Sequence, residues 1–178
     1  MARTEIRFAG FGGQGVVLSG VLLGEAAVLM DGMHAIQTQS YGAAARGGAA
    51  RSDVIIDNVT IVYPQATRPD IMAAFTNQAL EKYLPELKED AILIIDSGLV
   101  TPPEGTKLRI YGVPATTIAV DQFGKSIVAN MIVLGYLTAL TGIVGTSAME
   151  EVIRRGVPKG TEELNLSAFA KGAELARE

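Results

Sequence analysis

A glycine-rich turn set between an apolar strand and an apolar helix constrains this chain more than any other feature. Glu5–Ala9 reads as a short strand that runs straight into Gly10-Phe11-Gly12-Gly13-Gln14-Gly15. A helix then fits Val16 to about Met30, carrying Leu18, Val21, Leu22 and Leu29, with Asp31-Gly32 closing it. Glycine admits backbone conformations and close approaches that other residues resist, and a helix start presents N–H groups and the positive end of a dipole. Gly20 and Gly24 lie inside the helix. Each costs about 1 kcal/mol against Ala there, so the pair predicts a close neighbouring backbone.

Further along, strand and helix signals alternate. His34–Gln39 reads as a second strand, followed by the small-residue loop Ser40-Tyr41-Gly42-Ala43-Ala44-Ala45-Arg46-Gly47-Gly48. Ser52–Ile56 and Thr60–Tyr63 resemble a hairpin joined near Asp57-Asn58. Asp70–Phe75 is expected as a strand, and Asn77–Leu87 sets Leu80, Tyr83, Leu84 and Leu87 on one helical face. The apolar run Ala91–Ile95 ending at Asp96 is expected as a strand buried on both faces. Lys107–Tyr111 and Thr116–Val120 read as two more strands. Ser147 and Glu150 have capping-box spacing for a helix through Arg155 with Gly156 as its stop, and a last helix is expected after Asn165. The alternation predicts one α/β domain over residues 1–178: a Rossmann-like, open, mostly parallel sheet flanked by helices.

Composition removes several classes of function. Hydrophobic residues make up 48% and charged residues 19%, which argues against disorder. Net charge is −4 with no Lys/Arg-rich run, so a nucleic-acid binder, which needs a basic surface, is not expected. There is no cysteine, which excludes Cys-ligated iron–sulfur clusters, Cys-based zinc sites and disulfides on this chain. His34 is the single histidine and reads as a plain structural or surface residue, so no metal site is expected. Ser126–Met149 carries no charge and is long enough to raise the question of a membrane span. Asn130, Thr138, Thr141 and the glycines within it favour a buried helix instead. The N-terminus has no signal-peptide pattern, and a cytoplasmic location is expected.

Three motifs could carry chemistry. Gly10, Gly12 and Gly15 satisfy G-x-G-x-x-G. A dinucleotide site would also want an acid at the end of the second strand, where Gln37-Thr38-Gln39 stand instead. A nucleotide-free turn that meets a partner or an anion is therefore preferred, with a stand-alone NAD- or ATP-binding enzyme as the alternative. Ala119–Ser126 imitates a P-loop through Gly124-Lys125-Ser126 but lacks the first glycine and carries Phe123, while Ile92–Asp96 imitates a metal-binding strand placed before it. Arg46-Gly47-Gly48 offers a planar fork for carboxylate or phosphate. Equally, Arg46 could pair with a local acid such as Asp53. No self-sufficient catalytic constellation emerges.

Taken in order, the segments resemble the gamma subunit of 2-oxoacid:ferredoxin oxidoreductases. They are Gly10-Phe-Gly-Gly-Gln-Gly-Val-Val-Leu-Ser-Gly, Thr38-Gln-Ser-Tyr-Gly-Ala-Ala-Ala-Arg-Gly-Gly, Arg68-Pro-Asp-Ile, Leu93-Ile-Ile-Asp-Ser, Pro114-Ala-Thr-Thr-Ile-Ala and Asn130-Met-Ile-Val-Leu-Gly-Tyr-Leu-Thr-Ala. The loop around Tyr41 is most similar to the 2-oxoglutarate type, although Ala43-Ala44 stand where Pro-Glu is common and Lys125 where Asn is common. The resemblance implies CoA-dependent oxidative decarboxylation of a 2-oxoacid, with electrons passed to ferredoxin. Pyruvate, branched-chain 2-oxoacids and indolepyruvate rank behind 2-oxoglutarate as substrates.

It further implies thiamine diphosphate with Mg on alpha- and beta-type chains, and iron–sulfur clusters on beta- and delta-type chains. This chain alone would be inactive, hold no cofactor and no catalytic residue, and could self-associate when isolated. Gly12, Gly13, Gln14, Gly15, Ser40, Arg46 and Gly47 are then expected near the thiamine or CoA site or at a subunit interface. The apolar Ile127–Leu140 helix is a candidate for that interface.

Overall fold

A computed structural model describes residues 3–29, 33–41 and 49–178, and in it the glycine turn joins β1 (Thr4–Phe11) to α1 (Val16–Val28). There follow β2 (His34–Ser40), β3 (Ala49–Asp57), β4 (Ile71–Ala74), α2 (Asn77–Tyr83), β5 (Ile92–Asp96) and β6 (Arg109–Val113). The chain ends in α3 (Ala115–Phe123), α4 (Ala129–Thr141), α5 (Thr146–Gly156) and α6 (Glu162–Leu175). Single 3₁₀ turns, Leu84–Glu86 and Ser126–Val128, lead out of α2 and into α4. The expected close of α1 at Asp31-Gly32 lies outside the described residues.

One six-stranded sheet carries the order β2-β3-β1-β4-β5-β6. β1, β4, β5 and β6 pair in parallel, while β3 runs antiparallel to both β1 and β2. The sheet is mixed but mostly parallel, as expected. Period-two alternation divides its side chains between two cores. Ile6, Phe8, Ile71, Ala73 and Ile94 face α1 and the C-terminal helices. Ala9, Met72, Ala74, Leu93 and Ile95 face α2 and its Leu80, Tyr83 and Leu87. Such two-sided burial explains why Ala91–Ile95 is a continuous apolar run.

Two expected strands are not strands. Thr60–Tyr63 lies outside the sheet, and the hairpin is β2–β3 instead. β3 already has β1 on one side and β2 on the other, so neither edge is left for residues 60–63. That segment crosses the end of the sheet, with the Arg3 guanidinium donating to the carbonyls of Tyr63 (3.2 Å) and Gln65 (3.1 Å) and Val62 left 91% exposed.

Thr116–Val120 belongs to α3, although its β-branched residues favour a strand. Buried Asp96, at the end of β5, decides the matter: its Oδ2 accepts from the Thr116 N–H (3.0 Å) and from the Thr116 hydroxyl, capping the helix from across the sheet end. Ala115 and Ala119 are the buried residues of α3, one turn apart, while Val120 stays half exposed. Asp96→Ala is expected to cost about 1–2 kcal/mol, the value of a lost cap. Urea unfolding checks this, with Asp96→Asn, which keeps an acceptor oxygen, losing less.

The other differences are local. Gly145 caps α5 without a side-chain hydrogen bond, and Ser147 sits inside the first turn instead of capping it. α6 begins at Glu162, so Asn165 is within it and its Nδ2 donates back to the Thr161 carbonyl (2.8 Å). Of the uncharged Ile127–Leu140 stretch, Ile127 and Val128 lie in the 3₁₀ turn and the rest lies in α4, nine of whose thirteen residues are buried, chiefly against α6. α4 is therefore a core helix, and of that stretch Ile127 is the large apolar residue left exposed. Among the described residues no helix is long and apolar enough to cross a membrane.

Candidate functional site

The glycine turn lies at the carboxyl end of β1, where the chain leaves the sheet between β4 on one side and β3 on the other. β1 connects through α1 to β2 on one flank, and β4 through α2 to β5 on the other. The gap outside β1 and β4 is therefore a topological switch point, where open α/β sheets bind ligands.

Gly13 and Gly15 take left-handed φ values of 93° and 73°. Gln14 closes the turn: its Oε1 accepts from the Phe11 N–H at 2.7 Å, and its own N–H donates to the Phe11 carbonyl at 3.3 Å. A Cβ at Gly10 would come within 2.6 Å of that same oxygen and 3.0 Å of Phe75 Cβ. Behind the turn, the buried Asn130 amide of α4 donates to the Gly15 carbonyl at 3.4 Å, and a Cβ on Gly15 would overlap that amide. The Ser19 hydroxyl donates to the same carbonyl at 3.1 Å. At Gly12 and Gly13, by contrast, no atom of the described residues lies within 4 Å of where a Cβ would stand. The base of the turn is locked and its crest is open.

Two cavities flank the crest. One, of about 230 Å³, has Gly13, Gln14, Phe75, Leu99, Thr116 and Ile127 among its lining residues. The other, of about 290 Å³, includes Phe11, Gly12, Gly13, Val17, Tyr41 and Ile127. Tyr41, Leu99 and Ile127 are exposed apolar residues standing around the glycines. Apart from Tyr41, no lining side chain of either cavity among the described residues can titrate. Such a site can accept a ligand or a protein surface through backbone N–H groups and apolar contact. Among the described residues it has no nucleophile–base pair with which to run a reaction by itself. Among the described residues no group of three or more His, Asp or Glu could hold a metal ion.

Of the residues expected here, Gly12, Gly13, Gln14 and Gly15 form the turn. Ser40 is exposed at the end of β2, opposite Arg51 of β3, which in turn sits opposite Ala9 of β1. It thus lies at the same end of the sheet, two strands away. Arg46 and Gly47 lie outside the described residues. Asp53, offered as a partner for Arg46, is held by buried Arg7 at 2.6 Å and 3.1 Å. The P-loop reading fails because Ala119–Phe123 is the end of α3, with Gly124 as its left-handed cap (φ 67°), and Asp96 is used in capping that helix. Asn130 went unassigned in the sequence, where its one signal is an amide in an otherwise apolar run. Gly20 does make a close approach, but to the Ser52 side chain of β3 instead of to a backbone.

Comparison with known proteins agrees with this geometry. Residues 5–175 match the family described as pyruvate ferredoxin/flavodoxin oxidoreductase. The 2-oxoglutarate synthase subunit KorC of Methanothermobacter thermautotrophicus is 49% identical, over 99% of this chain and 96% of that protein. The KorC subunit of Methanocaldococcus jannaschii is 47% identical, over 99% and 95%. Among solved structures, the keto/oxoacid ferredoxin oxidoreductase gamma subunit of Geobacter sulfurreducens superposes with a TM-score of 0.87 at 41% identity, covering 98% of each chain. The chain belongs to the pyruvate ferredoxin/flavodoxin oxidoreductase family.

Proposed function

We propose that this chain is the gamma subunit of a 2-oxoglutarate:ferredoxin oxidoreductase, which converts the 2-oxoacid and CoA to the acyl-CoA and passes electrons to ferredoxin. The observation that carries the reading is the 49% identity to a 2-oxoglutarate synthase subunit along nearly the whole of both chains. The enzyme works in the cytoplasm, and the whole of residues 1–178 acts as one domain. Alpha-, beta- and delta-type chains hold the thiamine diphosphate, its Mg ion and the iron–sulfur clusters. With no cysteine, this chain cannot ligate those clusters, so no redox step runs on its own residues.

Its part is to complete a surface. The open crest at Gly12 and Gly13, with Tyr41, Leu99 and Ile127 around it, meets partner chains beside the thiamine or CoA site. Gln14 and Gly15 hold that crest in shape, Ser40 extends the surface along the same end of the sheet, and Arg46 and Gly47, which follow it in sequence, supply a fork that suits a phosphate or carboxylate. Among the described residues no acid–base or nucleophilic constellation surrounds the turn, which supports a supporting role over a stand-alone enzyme.

The test is anaerobic co-purification of the tagged chain from its native cells, with assays of CoA-dependent acceptor reduction by 2-oxoglutarate, pyruvate, branched-chain 2-oxoacids and indolepyruvate. Larger, cluster-bearing chains and a preference for 2-oxoglutarate are expected. A preference for another acid overturns the substrate, and a colourless solitary chain overturns the assembly. Arg46→Ala is expected to leave the subunits together and to raise the KM for CoA about tenfold, the scale of one lost charge-assisted contact. Unchanged assembly, CoA affinity and turnover would remove Arg46 from the site.

A further inference from the structure

We infer that β2 is a self-pairing edge, through which two copies of this chain join their sheets in antiparallel fashion about a two-fold axis near Gln37. The inference rests on the edge itself and not on the assignment of substrate. β2 is the outermost strand, with β3 as its one sheet neighbour among the described residues. Its ladder with β3 is unbroken from His34↔Asp57 to Ser40↔Arg51, so no bulge twists the edge away. The sequence His34-Ala-Ile-Gln-Thr-Gln-Ser40 contains no Lys, Arg, Asp, Glu or Pro. Those are the devices by which exposed edges are normally kept from pairing.

The opposite edge is different. β6 is five residues long and starts at exposed Arg109, whose Nε donates to the Asp90 carbonyl at 3.3 Å, with Lys107 close before it. One edge of the same sheet is short and charged, the other long and uncharged.

Charge also favours a second copy as the occupant. A two-fold contact opposes each residue with the equivalents of its own strand. Centred on Gln37, the pairing sets Ile36 against Thr38, Ala35 against Gln39 and His34 against Ser40, so no like charges meet at neutral pH. Strand pairing alone falls short of the roughly 1,000 Å² a specific interface needs. Beside β2 lies an apolar groove of about 480 Å³, lined by Val21, Val28, Leu29 and Ala35, with Glu25 and Arg155 as its charged members. Val28 and Leu29 are 57% and 47% exposed. Among the described residues the groove carries one acid and one base, so two copies bring no excess of either sign, and covering its apolar residues adds to the area the strands bury.

The absence of cysteine makes the test direct. Gln37→Cys in the full chain, mildly oxidised, is expected to give a disulfide-linked pair of this chain on a non-reducing gel, both alone and in the purified complex. Sedimentation of the unsubstituted full chain at micromolar concentration should give twice its 18.7 kDa mass. Thr38→Lys, at an exposed position, should weaken that association at least about tenfold while the circular dichroism spectrum is unchanged. A monomer that forms no cross-link overturns the proposal. So does a Gln37→Cys cross-link to a different subunit in the complex, which would give the edge to that partner.

Discussion

Gly135→Ala and Gly172→Ala are each expected to destabilise the protein by about 2–4 kcal/mol, beyond the usual cost of overpacking. Taken alone, the substitution should help, since Ala is about 1 kcal/mol better than Gly inside a helix. Here α4 and α6 cross with backbone against backbone. A Cβ on Gly135 would overlap the Phe169 carbonyl oxygen, and would stand 2.9 Å from its carbon and 3.0 Å from the Ala173 nitrogen. A Cβ on Gly172 would overlap the Ile132 carbonyl oxygen and stand 2.9 Å from the Tyr136 nitrogen. Backbone atoms cannot rotate away, so the helices must separate, and the fully buried Ile132 and Phe169 lose contact with them. Chemical denaturation of each variant measures the cost. Gly145→Ala is the control: its φ is −73° and the nearest atom to a new Cβ is Ser147 Oγ at 4.0 Å. It should lose less than about 1 kcal/mol. Equal losses at all three positions would refute the account of the crossing.

The second large effect is expected at Asp53. Arg7, in the middle of β1, is fully buried. Its guanidinium donates to Asp53 at 2.6 Å and 3.1 Å, pairs with Glu86, and lies 5.0 Å from the centre of the Tyr83 ring. Burial opposes its charge, but the hydrogen bonds and charges of Asp53 and Glu86 outweigh that and hold its pKa above the ordinary guanidinium value. Arg7 therefore cannot escape by losing its proton. Asp53→Ala leaves this cation with Glu86, whose side chain is 41% exposed, and is expected to cost about 3–5 kcal/mol. The double variant Arg7→Met/Asp53→Leu removes both charges and should recover most of that loss. Urea midpoints of the three proteins decide it: a double variant no more stable than Asp53→Ala would show that packing at this spot, and not the unpaired charge, carries the cost.

Local chemistry wrote much of the candidate site into the sequence. The turn at Gly10–Gly15 was legible because left-handed φ values at Gly13 and Gly15 need glycine whatever surrounds them. Asn130 was not, because its partner, the Gly15 carbonyl, is 115 residues away and known only once α4 is placed behind the turn. The end of the sheet to which Ser40 and Tyr41 belong followed from β2 pairing, which no short-range pattern contains.

The same division runs through the fold. By itself the sequence determined the α/β class, the strand–turn–helix at the start, the two-sided burial of β5, and the exclusion of cysteine chemistry. These follow from residue type and from periods of two and 3.6, which act over a few neighbours. Tertiary structure alone decided the rest. Thr116–Val120 became helix because the Asp96 carboxylate caps it from another strand, against its β-branched preference. Residues 60–63 were left outside because both sides of β3 were already taken. The uncharged stretch of α4 became core and not a membrane span because α6 could approach it, each helix's glycine against the other's backbone. In each case the deciding partner lies far along the chain, where propensity and periodicity carry no information.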